Sequence, residues 1–144
     1  MPSEHPARAA AQRSMRAVEG KTKEIWLDLF ADDAIIEDPV GASPLDPEGK
    51  GHCGRAAISA FWDTFIGPNH IRFDIRQSYA AGSEVANVGT ITTTMPDGTT
   101  AIAEGVFVYT VNARGKIVSL RAFWEFEKTM ASMTRGDRLT DFRA

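Results

Sequence analysis

Cysteine and histidine are scarce in this sequence. The 144 residues include one cysteine, Cys53, and three histidines, His5, His52 and His70. A single cysteine excludes an internal disulfide and fits a reducing cytoplasm, and we expect Cys53 to be a buried, unreactive thiol. No pair of histidines has metal-ligand spacing and there is no cysteine–histidine cluster, so the sequence predicts no metal site.

Long apolar runs and an excess of positive charge are also missing. No run approaches the ~20 apolar residues that cross a bilayer, and the N-terminus has no apolar signal core. Lys and Arg number 16 against 19 Asp and Glu, which gives a net charge of −3. This balance argues against nucleic acid and anionic membranes as partners, since both attract basic faces. There is no P-loop, dinucleotide fingerprint or nucleophile elbow, so we expect a cytoplasmic protein without a cofactor.

What the sequence does contain is one domain, residues 1–144, with helices first and strands after them. Apolar residues at helical spacing predict three helices, at 7–18, 21–30 and 54–66. A short apolar strand at 34–36 and four strands between residues 71 and 126 follow from β-branched and alternating patterns. We expect an α+β fold in which the three N-terminal helices pack on a curved, mostly antiparallel β-sheet. Residues 128–144 are polar and lack periodicity, which predicts a loose C-terminal tail.

The most informative stretch reads Leu-Phe-Ala-Asp-Asp-Ala-Ile-Ile-Glu-Asp-Pro-Val-Gly and covers residues 29–41. Pro39 ends its apolar strand and favours an extended conformation at Asp38. Asp38 is therefore a carboxylate at the end of a buried strand, and Glu37 points to the opposite face. Such a carboxylate, when partly desolvated, can act as a general acid or base. Taken by itself, Asp-Pro is equally a common opening of a turn.

This stretch resembles the segment that carries the catalytic aspartate of bacterial Δ5-3-ketosteroid isomerases, which have the cone-shaped α+β fold of the nuclear-transport-factor-2-like superfamily. Residues 54–62 and 115–122 resemble that family's third helix and last strand, in the same order. The resemblance implies that Asp38 is the catalytic general base; ketosteroid isomerases are an established example of such carboxyl tuning. It also implies a steroid-like hydrophobic ligand and a homodimer formed through the open face of the sheet.

The two oxyanion donors of that family do not carry over. Ser14 stands where the family has a tyrosine on its first helix, and Phe107 stands where it has an aspartic acid. A serine hydroxyl has a shorter reach than a phenol, and phenylalanine donates nothing. Trp62, Tyr109 and Trp124 are expected to line the pocket with Ser14 and Phe107, and Trp62 or Tyr109 could supply a replacement donor. Each of the three aromatic residues, taken alone, is also explained by core packing.

Three functions therefore stay open from the sequence. The first is a cofactor-independent steroid Δ-isomerase-like enzyme that uses Asp38 as its base. The second is another enzyme on the same fold, resembling a polyketide cyclase or a dehydratase, with Asp38 as its acid or base. The third is a non-catalytic binder of steroid-like small molecules, which the missing oxyanion donors favour.

Overall fold

The computed structural model describes residues 4–134, which form four short helices and one six-stranded sheet. The helices are α1 (Pro6–Gly20), α2 (Lys23–Asp28), α3 (Arg55–Phe61), which continues as a π-helical turn over Trp62–Ile66, and α4 (Phe126–Ala131). The strands are β1 (Phe30–Glu37), β2 (His52–Cys53), β3 (His70–Ala81), β4 (Glu84–Thr94), β5 (Thr100–Val111) and β6 (Ile117–Trp124). Within residues 4–134 no helix is both long enough and apolar enough to span a bilayer.

The strand order is β2-β1-β6-β5-β4-β3, and only the β1–β6 pair is parallel. The four strands of the β3–β6 meander were predicted from the sequence and are confirmed; Met95–Thr99 forms the turn between β4 and β5. The amide of Met95 donates to the carbonyl of Thr99 at 2.8 Å across that turn. The α+β fold, with its helices on a mostly antiparallel sheet, is likewise as predicted.

Helix α1 lies against the sheet because its inward face is built from small side chains. His5 caps its first turn by accepting a hydrogen bond from the Ala7 amide at 3.1 Å. Ala7, Ala10 and Ala11 are almost fully buried, so the helix backbone can approach the strands closely. The inward face of α1 therefore forms part of the hydrophobic core.

Two glycines let the central strands approach their neighbours closely. Gly89 and Gly105 are directly paired between β4 and β5. A β-carbon on Gly105 would lie 2.0 Å from the carbonyl oxygen of Phe123, and one on Gly89 would lie 2.2 Å from that of Asp74. Since real side chains do not tolerate such distances, only glycine fits at this point, where the sheet also carries an irregularity in β3.

Three local predictions are corrected. The expected loose tail is wrong for residues 128–134, because α4 extends to Ala131 and Thr134 pairs with Thr100 through two backbone hydrogen bonds of 2.9 and 3.0 Å; residues 135–144 lie outside the described part. The first strand starts at Phe30 rather than at residue 34, which shortens the preceding helix. Cys53 is exposed rather than buried, because it lies on the edge strand β2.

Candidate active site

The helices and the concave face of the sheet enclose a cavity of about 220 Å³. Its walls are mostly aliphatic and aromatic side chains from α1, α3, the π-helical turn and all four strands of the meander. They include Val18, Phe61, Phe65, Ile66, Ile71, Phe73, Ile91, Ala103, Phe107, Leu120 and Ala122. Thr129 and Met130 of α4 also contribute. Walls of this composition suit a flat, apolar ligand that carries few polar groups.

Asp38 reaches this cavity because of how β1 ends. Glu37 is paired with Arg121 on the parallel strand β6, and the amide of Val40 donates to the carbonyl of Ala122 at 2.9 Å. Glu37 accepts a hydrogen bond from Arg121 Nε at 3.1 Å, whereas Asp38 is one of the cavity-lining residues. The two neighbouring carboxylates thus occupy different environments, and only Asp38 faces the apolar interior.

The Asp38 carboxyl is held by one strong hydrogen bond. Trp124 Nε1 donates to its Oδ1 at 2.5 Å. Burial raises the pKa of Asp38 above the usual range of a carboxyl, and this effect outweighs the opposing effects of the Trp124 hydrogen bond and the charge of His52. Oδ2 is left available to take a proton.

Ser14 and Tyr109 form a second polar cluster on the cavity wall. Trp26 Nε1 donates to Ser14 Oγ at 3.1 Å, and Ser14 lies beside the Tyr109 hydroxyl. Burial raises the pKa of Tyr109, with a smaller contribution from the negative charge of Asp38, while the neighbouring Ser14 opposes the rise. Tyr109 therefore keeps its proton at neutral pH and can act as a hydrogen-bond donor.

Five of the six site residues predicted from the sequence line one cavity: Ser14, Asp38, Phe107, Tyr109 and Trp124. The sixth does not.

Trp62 is buried in the core and is not on the cavity wall. Its ring packs against Trp26 with centroids 5.2 Å apart, and it is Trp26 that lines the cavity. The prediction of Trp62 as a pocket residue and replacement donor was therefore wrong, because another tryptophan occupies the wall at this position.

The contributions of His52 and helix α4 to the site were not identified from the sequence. His52 was given no role there, yet its ring packs 4.9 Å from that of Phe61, and it lowers the pKa of the nearby Asp38. His52 lies on strand β2, which is paired with β1. Helix α4 could not be predicted from the sequence pattern, because six residues are too few to show helical periodicity.

Across residues 4–134, no three histidine, cysteine, aspartate or glutamate side chains are grouped so that they could hold a metal ion. The polar atoms of the cavity wall are carboxyl, indole, hydroxyl and amide groups set in an apolar surface. Of these, the Asp38 carboxyl can take up and release a proton, and the others can form hydrogen bonds.

Comparison with known proteins agrees with this architecture. The family model described as a SnoaL-like domain matches residues 11–120. The chain belongs to the SnoaL-like domain family. Its fold is the nuclear-transport-factor-2-like cone found in ketosteroid isomerases.

Relatives of this SnoaL-like protein include named isomerases. The steroid Delta-isomerase of Nocardioides simplex is 33% identical over 117 residues, which are 81% of this chain and 88% of that protein. The crystal structure of Delta 5-3-ketosteroid isomerase from Mycobacterium sp. has 40% identity and a TM-score of 0.83, covering 91% of this chain and 98% of that one. RV0760c from Mycobacterium tuberculosis, solved in complex with estradiol-17beta-hemisuccinate, has 35% identity and a TM-score of 0.83, covering 91% and 99%.

Proposed function

We propose that this SnoaL-like protein is a cofactor-independent isomerase that moves a proton on a flat, hydrophobic ketone of the Δ5-3-ketosteroid type, with Asp38 as the base. The observation that carries the proposal is a carboxylate of raised pKa, held by Trp124 inside an apolar cavity. The similarity to a steroid Delta-isomerase and to a ketosteroid isomerase supports it.

In this reaction the ionised Asp38 takes a proton from the carbon between the ketone and the double bond. The electron pair of that C–H bond moves toward the ketone oxygen and forms a dienolate. Protonated Asp38 then returns the proton to the far end of the conjugated system, which leaves a conjugated enone of unchanged formula. A base whose pKa is raised both accepts the carbon-bound proton more readily and still releases it in the second step.

A non-catalytic binder of steroid-like molecules is the second candidate, and Phe107 is the observation that favours it. Phe107 lines the cavity at the position where the resemblance in sequence implies a hydrogen-bond donor, and a phenyl ring cannot stabilise charge on an oxygen. Loss of one such donor typically costs roughly 10²–10³ in rate. Both candidate functions therefore use the same cavity, and they differ in whether the bound ketone is isomerised.

The appearance of the conjugated enone from androst-5-ene-3,17-dione, followed by ultraviolet absorbance, separates the two. We expect turnover proportional to protein concentration, because the base and the cavity are both present. Androstane-3,17-dione, which lacks the double bond, is the control for changes in absorbance that do not come from isomerisation. Quenching of tryptophan fluorescence reports binding in parallel, since Trp26 and Trp124 line the cavity. Tight binding without turnover would refute the isomerase and leave a binder or an enzyme for another substrate.

A further inference from the structure

Tyr109 lies on the cavity wall, and its protonated hydroxyl group can donate a hydrogen bond. We infer that its hydroxyl is a catalytic donor to the ligand's ketone oxygen, and that Ser14 and Trp26 are positioning residues behind it. The inference rests on the proposed function and names the group that stabilises the negative charge developing on the oxygen while Asp38 holds the proton.

The other strong donors on the cavity wall are already engaged. Trp124 Nε1 donates to Asp38, and Trp26 Nε1 donates to Ser14. Asn69 Nδ2 donates to a backbone carbonyl at 2.8 Å. A ligand oxygen that entered the cavity would have to break one of these bonds to use any of them.

The direction of the hydrogen bonds leaves the Tyr109 proton free. An indole N–H can only donate, so Ser14 Oγ accepts from Trp26. Ser14 is almost fully buried, so its own O–H needs an acceptor, and the oxygen of the neighbouring Tyr109 hydroxyl can serve as one. The Tyr109 O–H is then free to donate a hydrogen bond to a ligand in the cavity. The hydrogen bonds through Trp26 and Ser14 behind it make it a stronger donor.

Strand register places this donor at a useful separation from the base. Asp38 lies beside Ala122 of β6, since the adjacent Glu37 is paired with Arg121. Tyr109 is paired with Leu120, two residues deeper on β6. Two residues of a strand span roughly 7 Å, which is about the width of one steroid ring. A ring lying between them would place its ketone oxygen at Tyr109 while an adjacent carbon faces Asp38.

The other polar side chains lie away from the Tyr109 end of the cavity. Thr93 is paired with Ala101, at the opposite end of β5 from Tyr109. Thr129 belongs to α4, whose C-cap residue Ser132 is hydrogen bonded to Ile102 near the start of β5. Asn87 has a buried side-chain nitrogen with no hydrogen-bond partner among residues 4–134, but it is not one of the cavity-lining residues. Tyr109 is thus the donor at the Leu120 end of the described cavity, two residues along β6 from the position beside Asp38.

The test compares Tyr109→Phe with Tyr79→Phe, because the chain has two tyrosines and Tyr79 is exposed. Two ligands are used: androst-4-en-3-one, whose single oxygen is the ketone, and androst-4-ene, which has none. We expect Tyr109→Phe to reduce the preference for the ketone over the hydrocarbon by about 3–10-fold. We expect kcat for a Δ5-3-ketosteroid to fall by roughly 10²-fold. Tyr79→Phe should change neither quantity.

The infrared carbonyl stretch of bound androst-4-en-3-one gives a readout that needs no variant. A hydrogen bond to the oxygen lowers this frequency relative to the same steroid in an apolar solvent. We expect a lowered frequency in the wild-type protein and the apolar-solvent frequency in Tyr109→Phe. Ser14→Ala should give an intermediate frequency, because the phenol remains but loses its orienting partner.

The outcomes separate this inference from the proposed function. If the wild-type protein does not isomerise but Tyr109→Phe loses its ketone preference, the enzyme proposal fails and the Tyr109 contact stands. If the wild-type protein isomerises and Tyr109→Phe retains both kcat and ketone preference, the contact is overturned. A wild-type carbonyl frequency equal to that in apolar solvent overturns it as well, whether or not the variants fold.

Discussion

Asp38→Asn is expected to lower kcat for a Δ5-3-ketosteroid by roughly 10²–10⁴-fold, the range that positioned acid–base groups contribute. The amide has nearly the same shape as the carboxyl and can still accept the Trp124 hydrogen bond, but it cannot take a proton from carbon. Binding of androst-4-en-3-one should therefore persist. Enone absorbance measures the rate, and tryptophan fluorescence measures the binding.

The same substitution should stabilise the fold at neutral pH. The pKa of Asp38 is raised in the folded state, so its ionised form costs free energy above that pKa and the cost vanishes below the unfolded value of about 3.9. Asparagine carries no charge and avoids the cost. Thermal unfolding should give a higher Tm for Asp38→Asn at pH 7, and the difference should shrink toward pH 4.

Asp33→Asn is the matched control for both effects, since Asp33 lies on β1, the strand that leads into Asp38, but is exposed. It should leave kcat and Tm close to their wild-type values. Full activity in Asp38→Asn would remove Asp38 as the base. A lower Tm at pH 7 in that variant would show that the buried carboxylate stabilises the fold, contrary to the assigned burial effect.

Gly105→Ala is expected to destabilise the fold by about 3 kcal/mol, at the upper end of what overpacking usually costs. The new methyl group would lie 2.0 Å from the Phe123 carbonyl oxygen and 3.2 Å from Trp124 Cβ. Backbone must move to relieve the first contact. Because Trp124 holds Asp38, the displacement should also lower isomerase activity in the protein that still folds. Urea denaturation measures the loss of free energy of unfolding.

Gly20→Ala supplies the comparison. Gly20 is the last residue of α1, and a β-carbon there would meet nothing within 4 Å. Alanine is also the better helix former by up to ~1 kcal/mol, so this variant should be neutral or slightly more stable. Equal stability of Gly105→Ala and Gly20→Ala would contradict the close strand approach assigned to Gly105.

Local sequence patterns were enough to predict the architecture and to place Asp38 just after the first strand, because proline acts on its immediate neighbours. The role of Asp38 as a base follows from the resemblance to ketosteroid isomerases and stays a prediction. The alternation of β3 and the Met95–Thr99 turn likewise depend on residues close together in the chain. A homodimer stays a prediction.

The pairings that make the site depend on tertiary contacts and could not be read from spacing. Asp38 and Trp124 are 86 residues apart, and nothing local to either residue indicates the bond. Trp26 and Trp62 are both apolar aromatic residues on helices, and only packing determines that Trp26 faces the cavity. The Trp26–Ser14–Tyr109 chain joins two helices and a strand, so it appears only once the fold is known.

The pH dependence of kcat/KM, measured on the wild-type protein and on Trp124→Phe, tests most directly whether Asp38 is the base. The steroid does not ionise, so an acid limb reports groups of the free enzyme. The account predicts a limb with its midpoint above the ordinary carboxyl value of about 3.9. It also predicts a higher midpoint in Trp124→Phe, since the Trp124 hydrogen bond lowers the pKa of Asp38. A midpoint that stays fixed or falls in Trp124→Phe would contradict it.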